Sequence, residues 1–266
     1  LDLLKSYDRE NAALPLTSID ANLFSTGLVL EDAWWPCLAR EGNAFALRTL
    51  KRIGYEPRKG EPQTTAMLRE QMLWHAALYE NEDVLAYTAD QFKILADDGS
   101  VHPDLARSVM QAGILQVGEK AFEILCQRLE ATDSEHERMN ILMALGSQKD
   151  PDLIRKTLSY TLERVPDRNR FIPLVALGVN PHAIPLMWDW YLEHVQTLET
   201  FHPLLYERVI AGIVPLAGMQ SPGAVQDFFT NYMEKHPQTV DVVKLSLEKL
   251  EINLAMRKAA GSRSIG

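Results

Sequence analysis

Apolar residues recur along almost the whole chain at three- and four-residue spacing, the period of one face of an α-helix. Leu85, Ala89, Phe92 and Leu95 fall at i, i+4, i+7 and i+10, with Gly99 beyond them as a stop signal. Pro103 reads as a first helical residue before Leu105, Val109 and Ala112, and Phe122, Leu125, Cys126 and Leu129 form the next stripe. Ser134 and Glu137 have the spacing of a capping box ahead of Met139, Leu142 and Met143. Asp150-Pro151 is a cap and first-turn pair before Leu153, Ile154, Leu158 and Leu162. Asn180-Pro181 repeats the device before Ile184, Trp188, Tyr191 and Val195, as does Ser221-Pro222 before Val225, Phe228, Phe229 and Tyr232. Val243, Leu247, Leu250 and Leu254 mark a last long helix. No run alternates with period two. Residues 1–20 are the least regular part, and Gly54 to Gln63, with two Pro and two Gly, predicts a long loop.

An isolated helix of about 12 residues is marginal in water, so on the order of ten of them must stabilise one another by burying their stripes. Short Pro- or Gly-marked turns favour antiparallel neighbours, and a row of such hairpins is an α-solenoid. The expected fold is all-α, a curved HEAT- or armadillo-like solenoid forming one helical-repeat domain over residues 1–266; a closed bundle satisfies the same pattern. Helix starts at Pro103, Pro151, Pro181, Pro203, Pro222 and Pro237 lie 48, 30, 22, 19 and 15 residues apart, so any repeat is degenerate.

Composition narrows the function. The 266 residues carry 27 Lys and Arg against 36 Asp and Glu, a formal charge of −9, which argues against a nucleic-acid or anionic-membrane partner. Charge-free runs at Phe171 to Trp188 and Val209 to Gln226 are broken by prolines and polar residues and read as buried helix pairs, not membrane spans. Two cysteines, Cys37 and Cys126, are too few for a disulfide framework and read as small buried hydrophobes, with a reducing, cytoplasmic location as the default. The chain opens on Leu1 without a signal peptide, which leaves processing or excision from something longer open.

Catalytic motifs are scarce. A thermolysin-type zinc site needs two His one turn apart on a helix, and His136-Glu137-Arg138-Met139-Asn140 has Asn140 in the second place. His102, His202 and His236 each precede a Pro and read as turn residues. There is no phosphate loop, dinucleotide fingerprint or nucleophile elbow, so no catalytic and no metal residue is expected. Trp188 belongs to a core stripe and Trp190 lies off it. Two basic islands stand out. Arg48, Lys51, Arg52, Arg58 and Lys59 flank the long loop, and Arg164, Arg168 and Arg170 crowd a helix-to-helix turn around Asp167. A guanidinium presents a planar fork to a carboxylate, which makes Arg164, Arg168 and Arg170 the candidate anchors for a peptide carboxylate; solvated turns beside a helix C-terminus are the plainer alternative.

The segment Leu145-Gly146-Ser147-Gln148-Lys149-Asp150-Pro151-Asp152-Leu153, followed by Leu158 and Thr161-Leu162, resembles a stretch in the C-terminal helical domain of gluzincin-type zinc aminopeptidases. That group includes the puromycin-sensitive and endoplasmic-reticulum aminopeptidases and tricorn-interacting factors. Asn180-Pro181 with Leu186 and Trp188-Asp189 is similar to a second stretch at the same spacing, and His236-Pro237 with Glu248 and Asn253 to the family's end. Leu68-Arg69 with Tyr55 fits an earlier portion, so the likeness covers about residues 30–258. Ala183, Pro185, Glu251 and Met256 depart from the family's usual residues. The resemblance implies a non-catalytic, curved domain that caps the zinc active site of a catalytic domain in the same polypeptide and helps select peptides for removal of their N-terminal residue. The family's zinc motif and amino-terminus-binding segment precede this domain and are not in this chain, so zinc is expected only in the catalytic domain. A free-standing scaffold binding a partner protein and a self-sufficient hydrolase are the rival expectations.

Overall fold

Stripes of this kind fold as helices when each end is capped and each apolar face finds another. The computed structural model describes residue 7, residues 10–97 and residues 99–261. Helix accounts for 81% of it, as thirteen α-helices among the described residues, with no strand. They are α1 (Ala13–Val29), α2 (Trp35–Ile53), α3 (Gln63–Leu78), α4 (Glu82–Ala96), α5 (Pro103–Val117), α6 (Glu119–Ala131) and α7 (Glu135–Leu145). Then come α8 (Pro151–Glu163), α9 (Phe171–Gly178), α10 (Ile184–Leu198), α11 (Pro203–Ala217), α12 (Pro222–Lys235) and α13 (Val240–Gly261). Pro103, Pro151, Pro203 and Pro222 open helices as expected, whereas Pro181 lies in the turn before α10 and Pro237 in a 3-10 turn before α13; the Asp150 carboxylate accepts from the Asp152 and Leu153 N–H groups at 2.8 and 3.2 Å. The stretch expected to be irregular is helical from Ala13; residues 1–6, 8 and 9 of it lie outside the described residues. No described helix is long and apolar enough to cross a membrane.

Two expectations shift in register. The buried face of α4 is Val84, Thr88, Phe92 and Leu95, while Leu85 is half-buried and Ala89 exposed. Thr88 takes the core position because its hydroxyl donates to the Val84 carbonyl at 2.8 Å, leaving only its methyl to pack. The α7 capping box is half made. The Ser134 hydroxyl accepts from the Glu137 N–H at 3.3 Å, but the Glu137 carboxylate turns to Arg128 and Thr132. Met139 is exposed, and Cys37 and Cys126 are half-buried rather than core.

The chain divides into two compact units, residues 1–144 and 145–266. In the first, α3 packs against α1, α2, α4 and α5, and α5 also meets α4 and α6, so α1, α3 and α5 form a row with their sequence neighbours packed along it. Such an all-α stack of helix pairs is how a solenoid buries its stripes. The long loop runs where it was expected, between α2 and α3. Gly54 opens it at φ 84° and ψ 160°, a conformation closed to residues with a Cβ, and Arg69 of α3 holds it from beneath.

In the second unit α9, α11 and α13 form the same kind of row, with α8, α10 and α12 packed along it. α9 and α11 approach closely. A Cβ placed on Gly178 would lie 2.3 Å from the Gly212 carbonyl oxygen, so the two backbones meet because residue 178 is glycine, and a Cβ on Gly212 would come 3.0 Å from Val175. Gly178→Ala is therefore expected to cost about 1–3 kcal/mol although alanine is the better helix former. Gly223→Ala, where a Cβ meets nothing within 4 Å, is expected to cost nothing. Equal thermal midpoints for the two variants would contradict the backbone contact.

Candidate functional site

Three tyrosines of the second unit, one on each of α10, α11 and α12, join their hydroxyls in a line. Tyr191 and Tyr206 are 2.7 Å apart, oxygen to oxygen, and Tyr206 and Tyr232 3.0 Å. Each sits on its helix's apolar stripe, so the phenol bodies enter the core while the hydroxyls need partners. Trp188 stacks on Tyr191 at 5.6 Å and Phe228 on Tyr232 at 5.4 Å. Burial pushes all three hydroxyls above the usual tyrosine range, with the Glu199 carboxylate adding to the rise at each. Each link of the row needs one hydroxyl to donate and its neighbour to accept.

At its outer end the row opens into a cleft of about 300 Å³ lined by Glu199, Phe201, Tyr206, Glu207, Tyr232 and His236 among others. His236 lies flat on the Tyr232 ring, 4.1 Å and 9° away, with Nε2 3.5 Å from the Glu199 carboxylate. It is the C-cap of α12, a turn position as expected, and the cleft gives it a second place.

The arginine turn follows α8. Arg164 and Arg168 are exposed and Arg170 half-buried. Arg170 is built into the turn: its Nη1 pairs with Asp167 at 2.9 Å and its Nε donates to the Val165 carbonyl at 3.0 Å. Its guanidinium lies 6.0 Å from the ring centre of Phe201, which lines the cleft. Arg168 Nε donates to the Asn169 side chain at 3.2 Å. Turn and cleft are thus neighbours through one phenylalanine. The loop island is also engaged in structure: Arg52 bonds Glu10 and Asn11, and Arg48 lies 5.6 Å from the Phe45 ring centre.

The first unit holds a second cleft, of about 380 Å³, between α4, α5 and α7. Here His136 Nε2 lies 3.2 Å from the Asn140 amide and Glu137 is taken by Arg128, so the near-zinc motif forms no ligand set. Among the described residues no three His, Cys, Asp or Glu gather as a metal site. Deeper, His75 Nδ1 meets the Asp20 carboxylate at 2.5 Å, Gln71 donates to the same carboxylate at 2.7 Å, and Phe24 stacks on His75. No Ser or Cys is recorded against this His–Asp pair, so it reads as a buried polar tie between α1 and α3. Neither this tie nor the tyrosine row was legible beforehand. Their members stand 15 to 55 residues apart, and no local spacing marks them.

A family model described as the ERAP1-like C-terminal domain matches residues 1–252. Aminopeptidase M1 of Arabidopsis thaliana is 26% identical over 213 residues, 76% of this chain and 24% of that protein. Alanine/arginine aminopeptidase of Saccharomyces cerevisiae is 22% identical over 72% of this chain and 23% of its own length. Aminopeptidase M1-B of Oryza sativa subsp. japonica is 22% identical over 95% of this chain and 30% of its own. The chain thus spans about a quarter of the length of the curated relatives it matches. With its all-α architecture and the family match over nearly its full length, the chain belongs to the ERAP1-like C-terminal domain family.

Proposed function

We propose that this chain is the non-catalytic C-terminal domain of a zinc metallo-aminopeptidase. In this reading it covers the active-site chamber of the catalytic domain of the same polypeptide and helps select the peptides that lose their N-terminal residue. The observation that carries the reading is the family match across residues 1–252 in a chain that corresponds to about a quarter of aminopeptidases from plants and yeast. Zinc, held by the catalytic domain, would supply Lewis acidity and an activated water there. This chain's part is binding. Arg164 and Arg168, exposed on the turn that Arg170 braces, present guanidinium forks to a peptide carboxylate. Two cysteines, too few for a disulfide framework, fit a reducing, cytoplasmic setting.

The experiment is capture of the native polypeptide with an antibody against this chain, followed by its size and zinc content. A zinc-containing aminopeptidase several times larger than 30.1 kDa is the expected result, and a zinc-free protein of that size would return the scaffold reading. In the full-length enzyme, Arg164→Ala with Arg168→Ala is expected to reduce the preference for free-acid over amidated peptides at least fivefold in kcat/KM. Unchanged discrimination would remove the arginine turn from the reading.

A further inference from the structure

We infer that the cleft bounded by Glu199, Glu207, Phe201, Tyr206, Tyr232 and His236 receives the cationic end of a lysine or arginine side chain of a bound peptide. The inference rests on the peptide-binding reading above for the source of the cation, and on the cleft alone for its chemistry. Two carboxylates face a space walled by four aromatic rings. Among the described residues no Lys or Arg comes within 4 Å of either carboxylate, and His236 Nε2 lies 3.5 Å from that of Glu199. Positive charge in this unit is placed elsewhere. Arg170 is held behind Phe201 by Asp167 and the Val165 carbonyl, and Arg208 lies over Phe171.

An ammonium or guanidinium group suits such walls because aromatic rings attract a cation while covering its aliphatic stem. The carboxylates supply the charge-assisted hydrogen bonds. Glu199 is already aimed. His236, stacked flat on the Tyr232 ring, places its Nε2 3.5 Å from that carboxylate. At about 300 Å³, the space of roughly ten waters, the cleft has room for one long side chain.

The test is titration of the 266-residue chain at low salt with N-acetyl-arginine amide and N-acetyl-lysine amide, against N-acetyl-citrulline amide as neutral isostere. The tyrosine and histidine ring signals are followed by NMR. Saturable shifts at millimolar concentration are expected for both cations, with citrulline at least tenfold weaker and salt weakening only the cations. Glu199→Gln and Glu207→Gln are each expected to weaken arginine amide at least threefold, and the double variant to abolish the shifts. Equal binding of citrulline, or full affinity in the folded double variant, overturns the inference. The isostere comparison is made on the unaltered chain and decides the matter even if a variant fails to fold. A second arm compares nonapeptides carrying one internal arginine or one citrulline. Equal affinities there would overturn the peptide as source while the amide series still reports the cation site. The size and zinc result for the native polypeptide is independent of every arm, so the two readings fail separately.

Discussion

Arg69→Met is expected to lower the unfolding free energy by about 3–5 kcal/mol, the range for breaking a buried ion pair by removing one partner. Arg69 is among the largest fully buried side chains, at 0% exposure, and is satisfied from four directions. Its two Nη atoms pair with the two Glu61 oxygens at 2.5 and 2.6 Å. Nε donates to the Gly54 carbonyl at 2.9 Å and Nη2 also reaches the Ile53 carbonyl at 3.3 Å. One guanidinium thus ties the end of α2, the opening of the loop and its last turn to the middle of α3. Methionine fills much of the volume but leaves two carbonyls and a carboxylate without their donor. Arg69→Lys is expected to recover less than half of the loss, because an ammonium cannot offer the parallel fork. The hydrogen bonds from Arg69 hold the Glu61 carboxyl below the usual carboxylate range. A lowered folded value means the stabilisation is complete above the ordinary range and disappears as pH falls through the lower one. Urea midpoints at neutral and acid pH read both effects. The unaltered chain should lose more stability on acidification than Arg69→Met does, and equal losses would show that the pair contributes nothing.

Helix positions were legible because Pro, Asp and Asn punctuation combines with apolar spacing, and α8, α12 and the loop after Gly54 lie where those signs placed them, while α10 begins three residues after Pro181. The faces were less legible. Counting only apolar residues misses threonine, serine and asparagine that satisfy their own polar atoms within the fold. On α8 the buried face is Ile154, Thr157, Leu158 and Thr161; the Thr161 hydroxyl donates to the Thr157 carbonyl at 2.7 Å, while the Thr157 hydroxyl has no hydrogen-bond partner among the described residues. On α13 it includes Ser246 and Asn253, whose amide donates to the Pro215 carbonyl, while Leu254 is only half-buried. A hydroxyl bonded back to its own helix behaves as a small hydrophobe, and no hydropathy pattern records that. For the candidate sites the arginine turn was visible as a run of like charge. The cleft was not, because its residues from Glu199 to Thr239 become neighbours only when α10, α11 and α12 pack.

Asn180→Ala is expected to cost about 3 kcal/mol, and its reason joins the two motifs on which the family likeness was first read. The Asn180 amide donates to the Gly146 carbonyl at 2.9 Å and to the Gln148 carbonyl at 2.6 Å, while its oxygen accepts from the His182 N–H at 2.9 Å. The Leu145–Leu153 segment and the Asn180-Pro181 turn, more than thirty residues apart, are therefore one clamp. Gly146 belongs to it, since a Cβ there would come 2.4 Å from that of Ala176. These motif residues act on packing, which is why the resemblance identified a fold and left the ligand chemistry to be read from the clefts. Alanine removes both donors from two buried acceptors, at about 1–3 kcal/mol each before relaxation. Asn180→Asp separates this from a loss of shape. It keeps the oxygen for His182 but turns a second oxygen toward the two carbonyls, so burial and repulsion raise the folded carboxyl above its unfolded value. With that sign, stability is best below the ordinary carboxylate range, where the protonated group donates once, and falls as pH climbs through the raised value. Chemical denaturation of the Asp variant should therefore show a midpoint that drops between acid and neutral pH relative to Asn180→Ala. Parallel pH profiles for the two would mean that the Asn180 amide donates to neither carbonyl in solution.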